Sequence, residues 1–98
     1  SGEPMSLILW SLSKEMRLLM QLFEQPQNAL QIGIWKTKVG LYQQALRRLT
    51  PQRFLSWPQL LIRIDVAIKG MSKENPEHLI LQAIAEMCGQ RLFLAPNA

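Results

Sequence analysis

Residues 50–89 read TPQRFLSWPQLLIRIDVAIKGMSKENPEHLILQAIAEMCG and contain the boundaries of consecutive helices. Thr50-Pro51 and Asn75-Pro76 each place a capping side chain before a proline, which is favoured at the first helical position. Gly70 suits the position after a helix, because glycine adopts the left-handed conformation found there. Gly89 marks the end of the second helical pattern. This stretch therefore predicts helices joined by a short connection and contains no alternating strand pattern.

The same stretch also predicts an interruption. Pro58 follows Ser56-Trp57, and a proline within a helix removes a backbone donor and crowds the preceding turn. We expect a short helix from Thr50 through Leu55, then a restart or kink into a helix that runs to Lys69. The last helix is predicted from an apolar stripe at helical spacing: Leu79, Ile80, Ala83, Ile84 and Met87.

The first half of the chain extends the helical pattern. Pro4 suits a first helical position, and Gln25-Pro26 ends the helix because a residue before proline disfavours the helical region. Residues 26–33 are expected to form a short helical turn. The apolar stripes of the two flanking helices are Met5, Leu9, Leu12, Met16, Leu19 and Phe23, then Trp35, Val39, Tyr42, Leu46 and Leu49. The prediction is an all-α fold, a single compact bundle of about five helices, with the apolar tail at residues 91–96 docked on it.

Length and composition fit one small domain. The chain has 98 residues, 48% of them hydrophobic and 18% charged, and we assign residues 1–98 to one helical domain. No apolar run approaches the roughly 20 residues that span a bilayer, so no membrane partner is expected. Ser1-Gly2, without an initiator Met, is interpreted as a cloning remnant or the edge of a fragment cut from a longer chain.

Few residues could support chemistry. With one cysteine, Cys88, and one histidine, His78, the chain has neither an intrachain disulfide nor a multi-cysteine or His-rich metal site. His78 is expected on the surface, and Cys88 is expected to be a small buried hydrophobe. No glycine-rich loop followed by lysine is present to cradle a phosphate. The domain itself is therefore predicted to be non-catalytic, with no cofactor and no metal.

Two charged features leave alternatives open. Asp65 and Lys69 are one helical turn apart, acid first, and are predicted to form a structural ion pair, either solvated or partly buried at an interface. The net charge of +4 is compatible with nonspecific phosphate binding. A stand-alone basic helical DNA-binding module is therefore the alternative function, although no helix-turn-helix with base-reading residues stands out.

The tryptophans point instead to assembly. Three Trp and five Met exceed what the core of a small bundle needs, and Trp is enriched at the centres of interfaces. Trp10 lies off the main stripe of the first helix. An apolar face used for assembly is accordingly expected.

Several segments, in order, resemble one family. Leu9-Trp-Ser-Leu-Ser-Lys-Glu15 with Arg17-Leu-Leu is similar to the opening collar helix of the delta subunit of the bacterial DNA polymerase III clamp loader. The similarity continues through Ile34-Trp35-Lys-Thr-Lys38, Tyr42 and Ala45-Leu46-Arg-Arg-Leu49. It is closest at Arg63-Ile-Asp65-Val-Ala-Ile-Lys69-Gly70, which resembles the Asp-x-x-x-Lys pattern of the family. Leu79, Ile80, Leu81 and Cys88 fall where the C-terminal helix of the family does.

The resemblance implies a function that the residues alone do not. Delta subunits carry two N-terminal domains of AAA+-like arrangement, absent from this sequence, and a helical collar domain. The collar domain packs beside gamma/tau and delta-prime to hold the pentamer that loads the sliding clamp onto primed DNA. The clamp would be contacted only through the N-terminal domain, and primer–template DNA only peripherally. The parent complex belongs to a DNA polymerase, so the resemblance leaves its enzymatic status open; the expected location is the bacterial cytoplasm.

The expected interface uses the less core-like face of the first helix and part of the last. The predicted anchors are Leu7, Trp10, Met20, Leu81 and Ala85. Some relatives carry an aromatic residue in the loop before the last helix, whereas residues 71–75 here have none. A base-stacking role at this loop is not expected, but Lys73 is a candidate phosphate contact.

Overall fold

Four α-helices make up most of the chain between residues 3 and 89, the part that the computed structural model describes. They are α1 (Glu3–Glu24), α2 (Val39–Arg47), α3 (Pro51–Ile68) and α4 (Pro76–Met87), with 3-10 turns at Pro26–Asn28 and Lys36–Lys38. The described residues contain no strand, and the fold is all-α, as expected. No helix in this part of the chain is long and apolar enough to cross a membrane. The predicted docking of residues 91–96 and the interpretation of Ser1-Gly2 lie outside the described residues.

The start of α4 and the end of α3 agree with the predicted capping residues, whereas the Thr50 side chain, also predicted to cap, makes no capping hydrogen bond at the start of α3. The Asn75 side-chain oxygen accepts hydrogen bonds from the backbone N–H groups of Glu77, at 2.8 Å, and His78, at 3.3 Å. After α3, Gly70 has φ +72° and donates its N–H to the Ala67 carbonyl, while Met71 donates to Val66. This pair of bonds is a Schellman motif, which satisfies carbonyls that the helix end leaves open.

The predicted break at Pro58 is wrong as a boundary, because α3 continues from Pro51 to Ile68 with Pro58 inside it. The missing N–H of Pro58 leaves the carbonyl of Phe54 without its usual helical donor. Pro58 itself is exposed while Trp57 beside it is fully buried. The proline therefore lies on the water-facing side of the helix, away from the core that Trp57 enters.

The second helix starts later than its apolar stripe suggested. The Lys36–Lys38 turn precedes α2, which begins at Val39. Trp35, placed by the sequence in the inward stripe, is 73% exposed. Its backbone is extended, at φ −62° and ψ 141°, so its side chain does not continue the periodicity of the helix.

The main core lies where α3 packs against α1 and α4. Trp57 and Ile64 are fully buried at its centre, and the Phe54 ring meets the Trp57 ring edge-on with centroids 4.9 Å apart. Phe23 of α1 makes a second edge contact with Phe54 at 5.1 Å. The buried members of this first cluster are Leu12, Met16, Leu19, Leu49, Phe54, Trp57, Leu60, Ile64, Ala67, Leu79, Ile80 and Ala83.

A second, smaller cluster lies beside the C-terminal half of α1. It consists of Leu18, Leu22, Ala29 and Ile34, so it holds the connection between α1 and α2 in place. Tyr42 and Leu46 of α2 pack against both clusters. Through these two side chains, α2 joins the connection to the main core.

Two ion pairs link α3 to α4 and to the loop between these helices. Arg53 and Glu86 approach to 3.4 Å between α3 and α4, and both side chains are largely buried. Arg63 donates from Nε to Glu74 at 3.1 Å, and its Nη2 donates to the second carboxylate oxygen of the same residue. That bidentate contact raises the pKa of Arg63 and lowers the pKa of Glu74. The Arg63–Glu74 pair is exposed, so it adds little to the free energy of unfolding. Its main effect is to hold the α3–α4 connection in one geometry.

Candidate assembly surface

A depression on the described surface that contains the predicted anchor Trp10 runs between α1 and α3. Its volume is about 430 Å³, and it is open to solvent. We call it the α1–α3 groove; its lining residues are Ser6, Leu9, Trp10, Ser13, Leu61, Ile62 and Asp65. Apart from two hydroxyls and one carboxylate, every side chain in it is apolar.

Trp10 dominates one wall of the α1–α3 groove. Its side chain is 63% exposed, and the Lys14 ammonium lies 5.7 Å from the ring centroid. Leu7 and Lys14 lie three residues before and four residues after Trp10, so all three share the outward side of α1. Leu12 and Met16, on the inward side, are buried in the main core. The spacing of α1 thus leaves a large aromatic side chain facing solvent.

Ile62 forms part of the opposite wall, and the sequence analysis missed it. The inward positions of α3 are Leu60, Ile64 and Ala67, all buried, and Ile62 lies off their spacing and is exposed. An isoleucine on the polar side of an otherwise amphipathic helix is the sequence pattern that could have indicated a surface role for Ile62. Its placement beside Trp10 depends on how α1 crosses α3, which the sequence does not specify.

The predicted anchors do not form a single surface. Leu7, Trp10 and Leu81 are exposed, whereas Met20 is only partly exposed and packs against the main core. Ala85 is 5% exposed, which leaves almost no side chain for a partner to touch. Of the five, Trp10 lines the α1–α3 groove and Leu7 lies one turn away on α1.

The outer side of α4 differs from its predicted stripe. Ile84, expected in the core, is exposed, and so is Cys88, expected to be a small buried hydrophobe. Leu81, Ile84 and Cys88 recur at three and four residues and share one outward face. The inward face is instead set by Leu79, Ile80 and Ala83. The apolar residues of α4 cover more than one side, and the sequence does not tell which side meets α3.

The charged candidates lie near the surface. Lys69 Nζ donates to Asp65 Oδ2 at 2.9 Å, with both side chains about half exposed. Asp65 also borders the α1–α3 groove. Its carboxylate therefore lies at the edge of the groove, with its negative charge balanced by the Lys69 ammonium. Lys73 is exposed in the connection between α3 and α4.

Binding by apolar contact is the chemistry that this surface can support. Among residues 3–89, no three His, Cys, Asp or Glu side chains lie close enough to hold a metal ion. His78 is exposed at the start of α4, away from the groove lining. The groove offers an exposed indole, aliphatic walls and hydroxyl donors, which are the features of a helix-docking surface.

Comparison with known protein families, curated proteins and solved structures finds no match to this chain.

Proposed function

We propose that this chain is a collar domain of the delta subunit of a bacterial DNA polymerase III clamp loader. In this proposal it is a non-catalytic assembly domain that holds gamma/tau and delta-prime beside it in the bacterial cytoplasm. The ordered resemblance along the chain and the all-helical fold support it. The observation that carries the assembly role is the solvent-exposed Trp10 in the wall of the α1–α3 groove.

The exposed indole gives this surface its binding energy. Burial of apolar area contributes roughly 25 cal/mol per Å², and a tryptophan offers 150–250 Å² of surface, of which about two-thirds is open here. Covering Trp10 alone would therefore stabilise a complex by about 2–4 kcal/mol. Leu7 extends the same apolar surface by one helical turn. Such a surface gains most when a neighbouring helix covers it, which is how collar domains of this family are arranged.

Other parts of the proposal come from the resemblance. The sliding clamp would be contacted by the N-terminal domain that delta subunits carry, and primer–template DNA would be approached only within the complex. Lys73 is exposed and could meet a phosphate there. The interface on this chain centres on Trp10 and Leu7, with Leu81 facing a second neighbour; Ala85 is omitted because it is buried.

The test mixes this chain with gamma/tau and delta-prime subunits and measures complex mass by light scattering during size-exclusion chromatography. Trp10→Ala should weaken assembly by roughly 2 kcal/mol, about 30-fold in Kd, while leaving the helical circular dichroism unchanged. Trp35→Ala is the matched control, because Trp35 is at least as exposed as Trp10 but does not line the α1–α3 groove.

The possible results distinguish the proposed assembly surface from another surface and from the DNA-binding alternative. Loss of assembly in Trp10→Ala but not in Trp35→Ala supports the proposal. Equal losses in both variants, or a loss only in Trp35→Ala, would show that the wrong surface was chosen. No association at all, together with tight and salt-sensitive binding of primed DNA by the chain alone, would favour the DNA-binding module instead.

A further inference from the structure

A second groove lies between the connection after α1 and the first turns of α2. Its volume is about 500 Å³. Ala29 is buried beneath it and Val39 packs on the second cluster, so the floor is apolar, and Leu30 stands at the rim with 59% of its surface exposed. We call it the α2 groove; its lining residues are Pro26, Gln27, Ala29, Leu30, Gln31, Lys36, Val39 and Gln43.

The charge around the α2 groove is one-sided. Residues 25–64 contain six Lys and Arg and no Asp or Glu, although the whole chain carries seven acidic residues. Arg53 and Arg63, at the far end of this stretch, are paired with Glu86 and Glu74. The remaining cations are concentrated in the part of the stretch that builds the groove and α2.

Two of these cations are placed to meet a ligand in the α2 groove. Lys36 lines it, and Arg47 lies one helical turn beyond Gln43 on the same side of α2. Neither forms an ion pair with a carboxylate among the described residues. A cleft with an apolar floor, bordered by cations that form no ion pair among the described residues, attracts an acidic ligand and gives its apolar part a place to bind.

We propose that the α2 groove binds an acidic segment of a partner protein, one that carries an apolar side chain beside its carboxylates. Lys36 and Arg47 would pair with the carboxylates, the amides of Gln31 and Gln43 would donate to the peptide backbone, and Leu30 would cover the apolar side chain. This site is separate from the α1–α3 groove and does not depend on the proposed function.

The rim of the groove favours a peptide over a nucleic acid. Leu30 and Val39 are aliphatic and give a base no aromatic face on which to stack. Trp35, next to Lys36 in the chain, is not among the residues that line the groove. Aliphatic contacts beside Lys and Arg are instead what an acidic segment with an apolar anchor requires.

The experiment measures fluorescence anisotropy of a labelled synthetic peptide, made of aspartates around two phenylalanines, titrated with the full chain. Saturable binding that weakens at high salt is expected. Lys36→Glu should raise the Kd by about tenfold, whereas Arg17→Glu, which makes the same change of charge at an exposed site of α1 outside the groove, should change it less than about twofold.

A second pair of variants tests the apolar contact. Leu30→Ser should raise the Kd several-fold, while Leu55→Ser, at an exposed leucine of α3 outside the groove, should not. The four substituted side chains are exposed, and unchanged thermal midpoints verify the fold.

The proposal is overturned by any of three results. These are the absence of saturable peptide binding, equal effects of the groove and control substitutions, and tighter binding of an oligothymidylate that depends on the same residues. The last result would assign the groove to single-stranded nucleic acid.

Discussion

The Tyr42 hydroxyl donates a hydrogen bond to the Glu15 carboxylate and so links α2 to α1. The phenol is partly buried between the two apolar clusters. The pKa of Tyr42 is raised to about 12, most strongly by burial and further by the hydrogen bond to Glu15 and the negative charge of that residue. All three causes favour the neutral phenol, so the folded state binds its proton more tightly than the unfolded chain does.

This shift predicts alkaline sensitivity that depends on one side chain. The stability due to protonated Tyr42 is fully present below its ordinary pKa of 10.0 and is lost as the pH rises towards 12. Tyr42→Phe should lower the free energy of unfolding by about 1 kcal/mol at neutral pH, because it removes the hydrogen bond. Between pH 10 and 12 the difference between the two proteins should shrink. Urea unfolding at a series of pH values measures both effects.

Ultraviolet absorbance measures the pKa of Tyr42 directly, since Tyr42 is the only tyrosine in the chain. Its phenolate band should titrate near pH 12 in the folded protein. Glu15→Gln should move that midpoint downwards but keep it above 10, because burial is the largest cause of the shift. Titration of the native folded chain at pH 10 would contradict the buried, hydrogen-bonded position of this residue.

The ends of α3 and α4 use glycine in two different ways. Gly70 and Gly89 both have positive φ, at +72° and +80°. Around Gly70 a methyl group would meet open space, whereas at Gly89 it would lie 2.7 Å from the Arg48 Cβ and 2.9 Å from the Arg48 carbonyl oxygen. Gly70 is therefore required only by its conformation, and Gly89 also allows the end of α4 to approach the end of α2.

Alanine at the two positions should separate these effects. Gly70→Ala should lower the free energy of unfolding by about 1 kcal/mol, which is the cost of a side chain at positive φ. Gly89→Ala should cost roughly 1–3 kcal/mol more, because the Arg48 backbone must also shift. Urea unfolding followed by circular dichroism compares the two proteins. Equal losses would mean that the close approach to Arg48 does not contribute to stability.

Helix boundaries were predictable from sequence where a local side chain or glycine determines them. Asn75 caps α4 and Gly70 ends α3, as their residue types indicate. The restart predicted at Pro58 was wrong, because the effect of a proline depends on whether its side of the helix meets water or a packed neighbour. That distinction requires the tertiary structure.

Helix faces were predicted less well for a related reason. α4 has apolar residues on more than one side, so periodicity alone could not place Ile84 outside the core or Ala85 inside it. Trp10 was placed on the outward face correctly because α1 has a clear inward stripe. Its neighbour Ile62 was missed because it is 52 positions further along the chain, and only the crossing of α1 and α3 brings the two side chains to one groove.

At the scale of the whole molecule, residues 3–89 contain two apolar clusters of unequal size. Twelve buried residues form the first, around α3, while only four form the second, around the connection from α1 to α2. The second cluster is closed by short 3-10 turns that have few internal hydrogen bonds. Regions with little buried apolar contact open at lower free energy than the global unfolding reaction. The α2 groove is built on this less stable part, whereas the α1–α3 groove is built on the main core.

Native-state hydrogen exchange should therefore resolve two levels of protection. Amides in residues 26–38 should exchange faster than those of α3 and α4. Ile34→Ala removes a buried side chain of the second cluster and should speed exchange in that segment by about tenfold or more, with little change in α3. Leu60→Ala, in the main cluster, should instead speed exchange of the slowest amides of α3 and α4, because they exchange through global unfolding.

If Ile34→Ala accelerates exchange in α3 and α4 by the same factor as in residues 26–38, the two clusters unfold as one cooperative unit. In that case the α2 groove would be as rigid as the α1–α3 groove, and a ligand bound there would raise protection throughout the described chain rather than in its own segment alone.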